Sequence, residues 1–239
     1  MFKHPRTQEE IFGSFGWWDK GCYLRQMTDD RGDYIESCVT RVYGKGALAQ
    51  QEILEIGSGG GLICEDLARR QVVMTGIDPS AGALQTARLH ARQYGLGQNI
   101  HYLQGVGEHL PFADGSFSVI VCLDVLEHVS DLKQTIEEIA RVLAPGGIFV
   151  FDTINRTLLA RAVLIWYGEH LSSGGLVPGI HQYHKFIKPR ELTALLIASG
   201  LQVRELTGFM PRGFKQGRFS MGPGWFKGIA YVGFATKGR

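Results

Sequence analysis

Short apolar runs alternate along the chain with stretches whose apolar positions recur every three or four residues. Residues 53–56, 72–77, 100–103, 119–123 and 148–151 are apolar without strict alternation, the pattern of strands buried on both faces. Between them, residues 62–70, 81–94 and 132–143 carry helical periodicity. Upstream, Tyr34, Cys38 and Val42 recur every four residues and predict an amphipathic helix over 33–43. Alternating strand and helix predict an α/β fold with a parallel, doubly wound sheet. Pro145-Gly146-Gly147 reads as a turn into the fifth strand. Over 155–188 the rhythm breaks for longer than an ordinary connection, which marks a functional insertion. It resumes with a helix at 189–199 and strands at 201–206 and 229–234.

The 239 residues predict a single domain, 1–239, with a helical N-terminal extension over 1–48 and a lid over 155–188. Hydrophobic residues make up 44% and the formal net charge is +2, which excludes wholesale disorder and argues against a nucleic-acid partner. Glycine is the outlier at 32 residues, implying many turns or backbone that approaches a ligand closely. Cys22, Cys38, Cys64 and Cys122 form no C-x-x-C pair and read as reduced thiols of a cytoplasmic protein. The first ten residues lack an apolar signal core. The most apolar stretch, 158–167, contains Arg161 and is too short to span a bilayer. Attachment to a membrane surface stays open.

The first strand runs into Glu55-Ile56-Gly57-Ser58-Gly59-Gly60-Gly61 and a helix follows. Such a loop lets backbone touch a ligand, and Asp78 at the end of the second strand is placed to accept hydrogen bonds from ribose hydroxyls. The expected ligand is a nucleoside. A dinucleotide fingerprint wants its third glycine at 62, where Leu62 stands. Glu55 would oppose a pyrophosphate but suits an ammonium, so S-adenosyl-L-methionine fits better. Glu108-His109-Leu110-Pro111-Phe112 is placed to wall an adenine pocket, and Leu143-Ala144-Pro145-Gly146-Gly147 precedes the fifth strand. As a set, these motifs resemble the class I S-adenosylmethionine-dependent methyltransferases over residues 50–155. The resemblance implies a Rossmann-like sheet of seven strands, helices on both faces, and a last strand, 229–234, running antiparallel.

After the fourth strand come Asp124, Glu127 and His128, at i, i+3 and i+4 if the segment is helical. They read as a divalent cation site that would acidify a substrate hydroxyl, as a lone base at His128, or as residues that shape the pocket. Trp17-Trp18-Asp19, Val121 to Val129, Thr153-Ile154-Asn155-Arg156, His181, Lys185-Phe186-Ile187-Lys188-Pro189 and Gly222-Pro223-Gly224 resemble the O-methyltransferases of ubiquinone synthesis. That likeness runs from about residue 12 to 234. It implies methylation of a catechol-type oxygen on a polyprenylated quinone precursor. It also implies cofactor contacts at Arg31, Gly57, Asp78 and Leu123, beside Glu55, Gly59, Gly61 and Glu108 of the motifs above. Asp124, Glu127 and His128 stand at the family's metal positions, which implies Mg2+. Residues 209–219 depart from the family pattern, which leaves a soluble acceptor as the alternative. An NAD(P) oxidoreductase is disfavoured by Leu62, and a non-catalytic scaffold by the intact 124–128 set.

In the lid, Leu158, Leu159, Ala162, Ile165 and Trp166 cluster at helical spacing beside Arg156 and Arg161. The stretch 204–239 carries seven Lys/Arg against one Glu. Both features suit contact with an anionic membrane surface, although an amphipathic helix more often packs on its own domain. His170, His181 and His184 lie in or near the lid.

Overall fold

A computed structural model describes residues 8–169, 179–215 and 218–238. Its centre is one sheet built from β1 (Glu52–Ile56), β2 (Val73–Asp78), β3 (Ile100–Gln104), β4 (Phe117–Cys122), β5 (Leu143–Ile154), β6 (Leu201–Lys215), β7 (Arg218–Gly224) and β8 (Ala230–Lys237). The strand order is β3-β2-β1-β4-β5-β8-β6-β7. The first five strands are parallel, and β8 enters antiparallel between β5 and β6. Around the sheet lie α1 (Gln8–Gly13), α2 (Tyr23–Tyr43), α3 (Leu62–Arg69), α4 (Ala81–Gln93), α5 (Leu132–Val142), α6 (Leu158–Ala160) and α7 (Pro189–Ala198).

The unbroken apolar runs have a direct cause. In β4, Val119 and Val121 feed the core that contains Ile35, Leu67 and Leu84 of α2, α3 and α4. Ile120 and Cys122, pointing the other way, feed the core that contains Ile136, Ile139, Leu192 and Leu196 of α5 and α7. A strand covered on both faces has no polar side to show. Ser80 and Asp131 start α4 and α5 by accepting the amides of Ala83 and Gln134.

Three expectations need correction. The sheet has eight strands, because β6 continues past residue 206 and folds back as a hairpin with β7. Glycines at 208, 213, 222 and 224 hide that hairpin from a periodicity reading. At Gly208 a Cβ would stand 2.0 Å from the Phe226 carbonyl oxygen, so the close approach itself requires glycine. The helix predicted over 33–43 begins ten residues earlier, at Tyr23. Its first half buries the polar residues Thr28, Asp30 and Arg31; Thr28 donates to the Leu24 carbonyl one turn back, while the partners of Asp30 and Arg31 lie far along the chain. Asp30, for example, accepts the Ser220 hydroxyl and the Met221 amide. Finally, Pro145-Gly146-Gly147 falls within the bounds of β5 and not before it, but the pairing with β4 jumps from Leu143 to Ile148 and Gly146 takes φ +77°, so the expected turn forms as a bulge near the start of the strand.

Within the insertion, α6 continues into a π-wound segment, Arg161–Glu169, and a single 3-10 turn forms at Tyr183–Lys185. Residues 170–178, with His170, Val177 and Pro178, lie outside the described residues. Among the described residues no helix is long and apolar enough to cross a membrane.

Candidate active site

A cavity of about 300 Å3 opens at the carboxyl ends of β1, β2 and β4, where ligands sit in open α/β sheets. Its floor is the turn after β1. Gly57 has φ +72°, and a Cβ there would meet the Val125 side chain at 2.2 Å. Gly59 and Gly61 also have positive φ, but they make room for other side chains: the Trp17 ring and the Tyr102 hydroxyl. Of the three predicted glycines, Gly57 lines the cavity, together with Ser58.

Asp78 lies at the cavity edge with its carboxylate already engaged by backbone. One oxygen accepts the Gly59 amide at 2.8 Å and the other the Ser80 amide at 2.8 Å. The aspartate thus locks the glycine loop to the start of α4. Glu55 faces the cavity from the carboxyl end of β1. Its Oε2 is buried with no hydrogen-bond partner among the described residues. Burial pushes its carboxyl up to about 8, against hydrogen bonds from Cys64 that pull it down. A buried, unpaired acceptor in a site with an apolar wall suits a cationic ligand group. Leu123 lines the same wall. Glu108 lines it too, while its Oε1 accepts the amides of Ser130 and Asp131 at 2.7 and 3.2 Å and ties the wall to the start of α5.

The N-terminal segment closes the cavity. Phe12, Trp17, Tyr23 and Leu24 all line it. The Trp18 indole donates to the Gly60 carbonyl at 2.9 Å and stacks on His90. Phe12 meets the His128 ring edge-on, with centroids 5.8 Å apart.

Arg31 lies in the wall with its guanidinium held by two carboxylates. Its Nε donates to Asp152 at 2.9 Å and an Nη donates to Asp124. Asp152 also accepts the Asp124 amide. Burial raises the Asp152 carboxyl, while Arg31 pulls it down. Asp152 was readable in the sequence as the one polar residue ending the run Ile148-Phe149-Val150-Phe151-Asp152, but periodicity assigned it no role.

The segment after β4 is a turn, not a helix, and Asp124 sits there in the left-handed region at φ +52°. That overturns the basis for placing Asp124, Glu127 and His128 on one helical face. Asp124 turns to Arg31. Glu127 is buried and accepts the Thr153 hydroxyl at 2.7 Å, and burial with the nearby Asp124 pushes its carboxyl up. His128 packs between Phe12 and His181, and burial, with His181 next in weight, holds its imidazole down at about 4. Among the described residues, no group of three His, Cys, Asp or Glu side chains is arranged to hold a metal ion. The donor set therefore does not fit the expected Mg2+, since a cationic arginine already occupies Asp124.

Beside His128 stands a pair that the sequence reading did not assemble. His181 lines the cavity, and its Nδ1 lies 2.9 Å from Glu169. Glu169 also accepts the amides of Gly179 and His181 at 2.7 and 3.0 Å. Burial works against its charge, but these hydrogen bonds prevail and hold its carboxyl below the usual range.

Comparison with known proteins decides the family. A model described as a methyltransferase domain matches residues 54–151, from β1 through most of β5. Ubiquinone biosynthesis O-methyltransferase from Saccharophagus degradans is 34% identical over 196 residues, covering 80% of this chain and 79% of that protein. The chain belongs to the ubiquinone biosynthesis O-methyltransferase family. The relative of the same name from Agrobacterium fabrum is 35% identical, covering 80% of this chain and 79% of its own. Among solved structures, magnesium protoporphyrin IX methyltransferase from Synechocystis, with bound SAH, superposes with a TM-score of 0.62 at 18% identity. It covers 96% of this chain and 93% of that one, a likeness of fold. The protein is thus an S-adenosylmethionine-dependent methyltransferase of the α/β, Rossmann-like kind, with its last strands antiparallel.

Proposed function

We propose that the enzyme transfers a methyl group from S-adenosylmethionine to a phenolic oxygen of a quinol or catechol-type ubiquinone precursor carrying a polyprenyl tail. The observation that carries this reading is the shape of one cavity. It holds Asp78 and Glu55, with its unpaired Oε2, on its β1–β2 side, and His128 and His181 beyond β4. The cofactor supplies a sulfonium methyl that is already on a good leaving group. The chain's residues then have two tasks, placement and care of the acceptor proton.

Asp78 is assigned to the ribose, Glu55 to the ammonium, and Gly57, Glu108 and Leu123 to the walls of the cofactor end. Gly59 and Gly61 support the loop from behind. Arg31, already committed to Asp124 and Asp152, is assigned to holding the wall in place. Asp124, Glu127 and His128 shape the acceptor end, with Phe12 excluding water from above His128. The relatives' shared name supports the ubiquinone pathway, and the apolar lining supports an aromatic acceptor.

A membrane-borne acceptor is supported by the surface around the insertion. Leu158, Trp166 and Trp225 are 73%, 66% and 83% exposed. The Lys227 carbonyl, two residues from Trp225, accepts from Asn155, which ties this loop to the root of the insertion. Apolar side chains left in water beside basic residues suit an anionic bilayer surface.

Calorimetric titration with S-adenosylmethionine, followed by product analysis with tailed and untailed catechols, tests the reading. Micromolar cofactor binding with faster methylation of the tailed catechol is expected. Cofactor binding with no methylation of either catechol would refute the acceptor assignment. Failure to sediment with anionic liposomes at low salt would refute the membrane contact.

A further inference from the structure

We propose that His181, oriented by Glu169, is the general base that removes the proton from the acceptor hydroxyl. The inference rests on the phenolic-acceptor reading above.

Three features of the geometry carry it. First, the histidine is fixed. Its Nδ1 meets Glu169 at 2.9 Å and its own backbone amide donates to the same carboxylate oxygen at 3.0 Å. The second Glu169 oxygen is taken by the Gly179 amide, so the carboxylate cannot swing away from the ring. Second, a carboxylate at Nδ1 selects the tautomer with its proton on that nitrogen, which leaves Nε2 as the acceptor. Nε2 has no hydrogen-bond partner among the described residues, and the ring lines the cavity. Third, the pair is sheltered, with side chains 7% and 1% exposed. A buried carboxylate that accepts the Nδ1 hydrogen bond, itself held by two backbone amides, is the arrangement that stabilises an imidazolium once it forms.

His181 stands beside His128, with ring centroids 5.6 Å apart, on the acceptor side of the cavity. The chemical step balances without a further reactant. The hydroxyl O–H bond breaks and its proton bonds to Nε2. The oxygen lone pair forms the bond to the methyl carbon. The carbon–sulfur bond breaks with its electron pair returning to sulfur, so a sulfonium becomes a neutral thioether. The imidazolium–carboxylate pair then gives its proton to water as the product leaves. Glu169 touches no reacting atom and is a positioning residue.

The test uses the full-length enzyme and two acceptors in mildly alkaline buffer. One is an octyl-substituted catechol, whose hydroxyls are protonated. The other is nitrocatechol, whose more acidic hydroxyl is already ionised. His181→Gln should lower kcat for the octylcatechol about a hundredfold or more with KM little changed, the usual worth of a general base. The same variant should keep most of its turnover of nitrocatechol at the ionised oxygen, because that oxygen has no proton to lose. Glu169→Gln should show the same selectivity with a smaller loss, and His184→Gln, at an exposed position, should match wild type on both. Unchanged S-adenosylmethionine affinity in each variant shows that the fold and cofactor site survive. Equal losses on both acceptors, or no loss on either, would overturn the base assignment. So would wild-type turnover that a chelator abolishes and magnesium restores. Wild-type enzyme that binds cofactor but methylates neither catechol would overturn the acceptor reading, and this inference with it.

Discussion

Adding one methyl group at Gly60 should unseat the root of the Trp17 side chain. A Cβ built on Gly60 lies 2.2 Å from Trp17 Cγ and 2.4 Å from its Cβ. Comfortable carbon contacts are about 3.5–4.0 Å, so more than 1 Å of movement is needed. The clash is at the base of the indole, so a rotamer change cannot relieve it and the backbone of the N-terminal segment, which forms a strap over the cavity, must shift. Gly60 has no positive φ, which removes backbone strain as a rival cause. Two outcomes compete. Keeping the strap in place with overpacking costs about 1–3 kcal/mol. Expelling Trp17 exposes about 150–250 Å2, or about 4–6 kcal/mol at about 25 cal/mol per Å2. The cheaper outcome is a strained but attached strap.

Gly60→Ala is therefore expected to lose about 1–3 kcal/mol in urea denaturation and to weaken S-adenosylmethionine binding, because Phe12 and Trp17 wall the cavity. Trp17→Ala is expected to cost about 3–5 kcal/mol. The decisive measurement is the double variant. With the indole gone only the contact with the Cβ of residue 17, at 2.4 Å, remains, so Gly60→Ala should cost less than it does in the wild-type chain. If the two losses add to within about 0.5 kcal/mol, the contact is not the cause and the reasoning is wrong.

Arg31→Met should destabilise the fold by about 3–5 kcal/mol, because it strands two aspartates in the wall; a melting curve like that of wild type would show that the guanidinium does not hold them. Asp78→Asn should weaken S-adenosylmethionine binding about tenfold to a hundredfold, since a hydrogen bond to a charged group contributes about 1.5–3 kcal/mol; unchanged affinity in calorimetry would remove Asp78 from the ribose site. Glu55 holds its proton in the folded chain up to about pH 8, against 4.5 as its ordinary value. Its contribution is fully present below pH 4.5 and is lost as pH rises through about 8. Glu55→Gln should flatten that fall in ligand-free thermal melts, and parallel pH profiles for variant and wild type would refute it.

The residues proposed for the cofactor end could be grouped from the sequence, because their signals are local. The glycine turn, the aspartate after β2 and the apolar runs of β1, β2 and β4 each lie within a few residues, and their spacing is set by one strand–turn–helix unit. The order of strand and helix likewise determined the sheet, because strands covered on both faces must read as apolar runs. Tertiary structure decided the rest. The start of α2 depends on Arg31 and Asp30, whose partners lie between 93 and 191 residues away. The 124–128 segment looked helical by spacing, yet it is a turn around Asp124, held where Arg31 and Asp152 meet it. Glu169 and His181 are twelve residues apart, and the helical spacing in the insertion ends at Trp166, before either of them, so no sequence pattern pairs them. Spacing along the chain reports what one helix or strand brings together. A buried ion pair or a histidine–carboxylate pair joining separate segments exists only once the sheet has folded and excluded water from the space between them.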